Sequence, residues 1–531
     1  MKRSSLLLIL ASMALLGCSQ PAPFPSSAEP SSSLAPSSFS SSSEPEPDPV
    51  SEDFDGEFTA YNVDQSKVYS KEFRYESAYF SAPVGEVDPG MTMFAFAMAN
   101  ATKNAERASR IFAASGFTEH YEDSTLKAPT EENSIGYAIG VRKFGSSHHV
   151  VVSIRGEDYK KEWAGDFQIT PYDDDPRFNG DHYGFHVAAL QVVSGLKAFL
   201  DKEGISNPKC LITGYSRGAA VAGLSAAMLI DENSTIAKEN LYCYTFETPM
   251  GLKAEHDKDA YKTILNFVNE NDFMTYLAPG KYGFVRPGTD INIAEGVVQY
   301  APLFAAEGMT RTILSEANDF AGLSLKDSEG KALNSGKDAA TFMVKLLTRE
   351  LTQKELEVGL VSYATPEEYA EHLMPAASTL LGFFFGADLD ISMADIDFTL
   401  ITKAVALLNS LCYEDGLNPN PSPSEKYDPH GLYGLVKELL AKKGWKPSGE
   451  ASSPDKTYDE ASISLACDGL QAAIRSLQIG FVKYQMERGG EYSDYKMSLS
   501  TFLLAAITNH YFDDRHSFDT CYAVLRNFFG K

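Results

Sequence analysis

Between residues 136 and 268 the apolar positions fall into short runs of strand length, alternating with longer one-sided patterns. Gly136–Phe144 (GYAIGVRKF) and His149–Ile154 (HVVVSI) read as adjacent strands joined by Gly145-Ser146-Ser147. Tyr183–Leu200 puts Val187, Leu190, Val193, Leu196 and Leu200 on one face, the pattern of an amphipathic helix. Cys210-Leu211-Ile212 leads through a turn into a small-residue apolar helix that runs to Ile230. Leu241–Phe246 (LYCYTF) and Thr263–Val268 (TILNFV) predict two further strands. Strands alternating with helices indicate a parallel α/β sheet. Ligands of such sheets bind beyond the carboxyl ends of the strands, where Gly156, Ser216, Pro249 and Asp272 all fall.

The flanks differ. Phe54–Pro83 is aromatic-rich and gives no clear period, whereas Met91–Gly116 predicts one or two helices. Helical patterns recur at Glu295–Ala306, Asp338–Thr352, Pro366–Phe385, Met393–Leu411, Leu432–Lys443 and Tyr458–Met486, with breaks such as LNPNPSP at Leu417–Pro423. This stretch reads as a helical insertion or cap. Met497–Tyr511 and Phe518–Phe529 predict the closing helices, with Asp513–His516 as a loop between them.

At the N-terminus, Met1-Lys2-Arg3 precedes an apolar stretch, Leu6–Leu16, too short to span a bilayer as a mature helix. Leu15-Leu16-Gly17-Cys18 resembles a bacterial lipobox, which implies cleavage before Cys18, diacylation of its thiol and a lipid anchor on the outer face of a membrane. Ser19–Glu52 is Ser/Pro-rich and then acidic, the composition of a disordered tether. The expected organisation is a signal peptide (1–17), an anchored linker (18–52), an α/β core (53–296), a helical insertion (297–492) and a C-terminal return to the core (493–531).

Composition narrows the function classes. A formal net charge of −26 over 531 residues argues against nucleic acid as a partner and against electrostatic docking on anionic lipid. Besides Cys18, the cysteines are Cys210, Cys243, Cys412, Cys467 and Cys521, without metal-type spacing. Cys210 and Cys243 lie in apolar runs and read as buried thiols, and a Cys412–Cys467 disulfide is open. His182 and His186 read as a packed or surface pair rather than ligands. No metal or cofactor pattern emerges, and oligomeric state is not encoded in any recognisable signal.

The chemistry gathers at Gly214-Tyr215-Ser216-Arg217-Gly218, between a strand and a helix. This is the nucleophile-elbow pattern. Gly214 and Gly218 stand where the two backbones cross too closely for side chains, and Ser216 is exposed at the tip above a helix N-terminus. A serine hydroxyl needs a base to take its proton and a third group to orient that base. The chain order Ser, acid, His makes Asp272 the acid candidate, at the end of the second strand after the elbow. It leaves His372, His430, His510 and His516 as bases. The elbow rule supplies the Arg217 N–H as one oxyanion donor.

Five short pieces, VVVSIRG, LITGYSRGAAVAGLSA, YTFETPMG, FVNENDFMTYLAP and YGFVRPG, with a helix beginning GFHVAAL after the first, come in the order seen in class 3 (fungal-type) lipases. Over residues 135–293 the chain resembles that family. The resemblance implies an α/β-hydrolase-type, mostly parallel sheet flanked by helices. It implies Asp272 as the triad acid, and His516, in its His-Ser context, as the base in preference to His510. It also implies the Glu157 N–H, after Arg155-Gly156, as the second oxyanion donor. The sequence departs from the family at Tyr215, where His is usual, at Ala219, where Gly is usual, and at Glu157, where Thr or Ser is common. The implied activity is a surface-anchored serine hydrolase acting on carboxylic esters of acylglycerol type, without a cofactor. A peptidase, thioesterase or acyltransferase with the same triad, or a silent envelope-binding lipoprotein, is the alternative.

Overall fold

The structure is a computed structural model. It describes residues 52–311 apart from 63–64, 118, 128–132, 157–164, 167, 170, 172–174, 233–235, 257, 277–282 and 297, then 338 and scattered positions between 434 and 460, and residues 513–530. Cys18, Glu157, His372, Cys412, His430, Cys467, His510 and the expected helices between 312 and 433 lie outside the described residues, as do those of 461–486 and 497–511.

The chain opens with a hairpin of β1 (Asp53–Tyr61) and β2 (Val68–Glu76), paired antiparallel from Asp53↔Glu76 to Tyr61↔Val68. The helices α1 (Pro89–Ala99) and α2 (Ala105–Ala114) follow. Pro89 sits in the first turn of α1, and the Asp88 side chain caps it by accepting the Met91 N–H at 2.6 Å. Then come β3 (Glu119–Glu122), β4 (Tyr137–Phe144), β5 (Ser147–Ile154), α3 (Tyr183–Glu203), β6 (Lys209–Tyr215), α4 (Arg217–Asp231) and β7 (Leu241–Phe246). After the short β8 (Leu252–Lys253), β9 (Ile264–Asn269), β10 (Phe284–Val285) and β11 (Thr289–Ala294) complete the strands around the site. Two helices, α5 (Tyr300–Ala306) and α6 (Phe518–Phe528), lie on either side of the long intervening stretch.

Among the described residues, seven strands form the main sheet in the order β11-β9-β7-β6-β5-β4-β3. β5, β6, β7, β9 and β11 run parallel, and only β4 and β3 are antiparallel additions at one edge. This is the expected mostly parallel α/β sheet. Its central strands are apolar on both faces because both faces are covered. Along β7, Tyr242, Tyr244 and Phe246 enter one core while Leu241 and Cys243 enter the other.

The two cores have different characters. One, between the sheet and α3 and α4, is aliphatic: Val150, Val152, Leu196, Ile212, Val221 and Leu224. The other is aromatic and joins distant parts of the chain. There Phe58 and Tyr75 of the hairpin, Phe96 of α1, Tyr300 and Phe304 of α5, and Phe518 and Tyr522 of α6 pack together. Phe96 stacks on Phe518 with centroids 4.2 Å apart. The aromatic-rich N-terminal stretch is thus a hairpin whose inward side chains seat the C-terminal helix.

Two expectations change. The buried face of α3 is Phe185, Ala188, Ala189, Val192, Leu196 and Phe199, with Val187 and Leu190 only half-buried. Ala188 and Ala189 belong to that buried face although their side chains are small. The helix expected at Glu295–Ala306 starts at Tyr300, because β11 continues to Ala294 and Gly296, at φ 66°, turns the chain. Cys210, Cys243 and Cys521 are buried free thiols. Among the described residues no helix is long and apolar enough to cross a membrane.

Candidate active site

The site begins in the turn between β6 and α4. Ser216 has φ 56° and ψ −126°, far from helix or strand values. A residue held there is strained, and only tight surroundings keep it so. The two glycines supply them. A Cβ on Gly214 would lie 2.3 Å from the Gly218 carbonyl oxygen, and one on Gly218 would lie 2.5 Å from that of Ile154. The Ser216 N–H donates to the Phe246 carbonyl at 2.9 Å, tying the turn to the end of β7. Ser216 itself precedes the first residue of α4, where backbone N–H groups lack helical acceptors.

Asp272 lies just past the end of β9 and is fully buried. Its N–H donates to the Asn269 carbonyl at 2.9 Å, and its Oδ1 accepts the Met274 N–H at 2.9 Å. His516 ends a short 3-10 turn, Asp513–His516, directly before α6. Its Nε2 stands 2.6 Å from Ser216 Oγ, and its Nδ1 stands 2.5 Å from Asp272 Oδ2. In the neutral imidazole carrying its proton on Nδ1, Ser216 donates to Nε2 and Nδ1–H donates to Asp272. These side chains, separated by up to 300 positions in the chain, meet in one hydrogen-bonded row.

The loop that carries His516 is held by groups the sequence did not announce. The Tyr215 hydroxyl donates to the His516 carbonyl at 2.8 Å, and its ring lies 5.0 Å from that of Phe518. The tyrosine that departs from the histidine usual in the resembled family therefore links the elbow to the His516 segment. Burial drives the pKa of this phenol well above its ordinary value, so it stays a donor. Beyond His516, Arg311 Nη1 donates to Ser517 Oγ at 2.9 Å and to the fully buried Asp519 at 2.5 Å. On the other side, the buried Arg217 side chain faces Asp166 at 3.2 Å and donates to the Ser134 carbonyl at 3.3 Å. Arg155 donates to the carbonyls of Leu126 and Thr125 at 2.8 and 2.9 Å, anchoring the strand end before Gly156.

His182 and His186 are a packed pair: His182 Nε2 stands 3.0 Å from the Asp166 carbonyl oxygen, and His186 Nδ1 is 3.4 Å from Asp181. Among the described residues no group of His, Cys, Asp and Glu side chains converges as a metal-binding set.

A serine at a strained strand-to-helix turn of a mostly parallel sheet, with an acid and a histidine brought to it from later in the chain, defines an α/β-hydrolase-type arrangement. Residues 151–281 match the family described as lipase (class 3), a family of carboxylic ester hydrolases, and this segment, with Ser216 and Asp272, is lipase-like. His516 lies beyond it. The chain is also similar to a triacylglycerol lipase whose catalytic centre is formed by a serine protease triad, at 22% identity over 31% of this chain and 63% of that one, with a TM-score of 0.25. It thus spans less than two thirds of that protein. Other similar structures are the triacylglyceride lipase of Rhizomucor miehei (22% identity, 38% and 78% covered, TM-score 0.30) and the lipase of Rhizopus microsporus var. chinensis (16%, 40% and 77%, TM-score 0.31). No curated protein matches the chain.

Proposed function

We propose that the protein is a serine hydrolase that cleaves carboxylic esters of acylglycerol type through an acyl-enzyme. The observation that carries this reading is the placing of His516 between Ser216 Oγ, at 2.6 Å, and Asp272 Oδ2, at 2.5 Å. Ser216 Oγ attacks the ester carbonyl carbon while His516 Nε2 takes its proton. Asp272 holds the tautomer and balances the imidazolium. The oxyanion of the tetrahedral intermediate accepts from the N–H groups of Arg217 and Glu157. Its collapse breaks the bond to the alkoxy oxygen, which leaves as the alcohol with the proton from His516. Water then repeats the sequence on the acyl-enzyme, releases the carboxylic acid and regenerates Ser216.

The same proposal places the protein outside the cytoplasm, lipid-anchored through Cys18, with residues 19–52 as a tether and the helical insertion of 297–492 shaping the acyl site. The basic-then-apolar N-terminus ending in Leu15-Leu16-Gly17-Cys18 supports the anchor. The test of the reaction is labelling by a fluorophosphonate probe together with hydrolysis of short- and long-chain p-nitrophenyl esters. Wild type is expected to label and turn over, and Ser216→Ala to do neither. Equal labelling of a folded Ser216→Ala protein would remove Ser216 as the nucleophile.

A further inference from the structure

Glu247, directly after β7, is costly in two ways. Its φ of 49° lies in the left-handed region that residues with a Cβ rarely adopt, and its carboxyl group is fully buried. It stands between the nucleophile turn and the strand that leads to Asp272. Its own N–H donates to the Phe267 carbonyl at 2.9 Å, while the preceding Phe246 carbonyl takes the Ser216 N–H. Glu247 Oε2 accepts the Asn269 N–H at 2.9 Å. Its Oε1 is also buried and, among the described residues, accepts from no N–H or O–H group. The side chains that interact with this carboxyl are those of Asp272 and Cys521, and Tyr215 and Tyr300 share the same enclosure. Arg515, also buried, lies over the Tyr300 ring at 5.3 Å.

An ionised carboxylate here would have the Asn269 N–H and only the weak Cys521 thiol as donors, with a second carboxylate beside it. A neutral acid avoids both problems and has an O–H to give. Building on the triad proposed above, we propose that Glu247 is a positioning residue held as a neutral carboxylic acid. One oxygen takes the Asn269 N–H, and its O–H turns to Asp272, bracing that carboxylate toward His516. Burial, reinforced by the charge of Asp272, pushes the Glu247 pKa well above the ordinary carboxylate range. Neutrality also serves the base, since a second negative charge beside Asp272 would favour the imidazolium and withhold His516 from accepting a proton.

Two variants test this. Glu247→Gly removes the carboxyl and relieves the left-handed backbone, so it should fold. Glu247→Gln keeps the shape and a neutral donor. We expect Glu247→Gly to lose about tenfold in kcat on a p-nitrophenyl ester, with KM within about twofold, and Glu247→Gln to restore most of that loss. Wild-type kcat in Glu247→Gly would overturn the positioning role. Denaturant unfolding between pH 5.5 and 8 gives the second readout. The unfolded glutamate is ionised throughout that range, and the proposal requires the folded one to keep its proton. The folding constant of wild type relative to Glu247→Gln should therefore fall about tenfold per pH unit as pH rises. A flat ratio would mean that Glu247 is ionised in the fold and would overturn the proposal. This readout needs no turnover, so a failure of the triad leaves it intact.

Discussion

The elbow that carries Ser216 and the segment that carries His516 meet at 2.6 Å, yet they are held by opposite means. The elbow is made by neighbours in the chain: Gly214 and Gly218 let two backbones cross, and Ser216 takes φ 56° between them. The base segment has no such local constraint. It is fastened by Tyr215, which lies 301 positions earlier, by Arg311, and by the aromatic stack of Phe518 on Phe96. The position of Ser216 depends on backbone geometry, which few substitutions can reach without unfolding the turn. The position of His516 depends on individual hydrogen bonds and a buried ion pair, each of which can be removed alone.

The largest effects should come from the reacting groups themselves. Ser216→Ala and His516→Ala are each expected to lower kcat/KM on an ester about 10^4-fold or more, and together no further than either alone, because they act as a unit. His510→Ala should stay near wild type. Steady-state rates of the four proteins decide between the two histidines, and loss of activity in His510→Ala alone would reverse the choice.

The next largest effect separates the two regions. Arg311→Ala leaves Asp519 as a buried, unpaired charge and should cost about 3–5 kcal/mol in denaturant unfolding. The elbow should survive, so the variant should lose stability and base alignment together while keeping native far-ultraviolet circular dichroism under mild conditions. An unchanged unfolding midpoint would show that the base segment is held elsewhere.

A smaller effect tests the link between the regions. Tyr215→Phe keeps the ring against Phe518 and removes only the hydroxyl donated to the His516 carbonyl. About 1 kcal/mol of stability should be lost. The kcat should fall about tenfold with KM nearly constant, since the base is displaced and substrate contacts are not. A KM effect with unchanged kcat would place Tyr215 in substrate binding instead.

A last test reads the scaffold away from both regions. Burial, with Lys209 and Arg142 adding to it, lowers the His149 imidazole to about 3, and its Nδ1 stands 2.8 Å from the Tyr75 hydroxyl. The unfolded imidazole gains a proton below about 6.5 while the folded one does not, so this histidine costs stability as pH falls from about 6.5 toward 3. Relative to His149→Asn, wild type should lose about 1.4 kcal/mol for each pH unit below about 6.5, measured by denaturant unfolding at pH 7, 6 and 5. A constant difference would mean that the folded imidazole titrates normally.

Much of the fold could be read from pattern. Leu241–Phe246 is the strand expected, and β6, the elbow and α4 follow the glycines and small residues around Ser216. The aromatic stretch at 54–83 was opaque because its hairpin packs rings against α1 and against α6, a helix more than 400 positions away. The roles of Tyr215, Arg311 and Glu247 were equally hidden. A buried arginine and a surface arginine look alike in sequence, and nothing adjacent to Glu247 signals a left-handed backbone or a buried carboxyl.

By itself the sequence determined the elbow that carries Ser216, the parallel sheet and the strand end that bears Asp272. These depend on features of neighbouring residues: where a Cβ fits, and which faces repeat as apolar. Tertiary structure decided that His516 stands against Ser216, which side chains hold it there, and the enclosure around Glu247. Those outcomes depend on contacts between segments hundreds of residues apart, where position and burial are set by packing rather than by anything written locally in the chain.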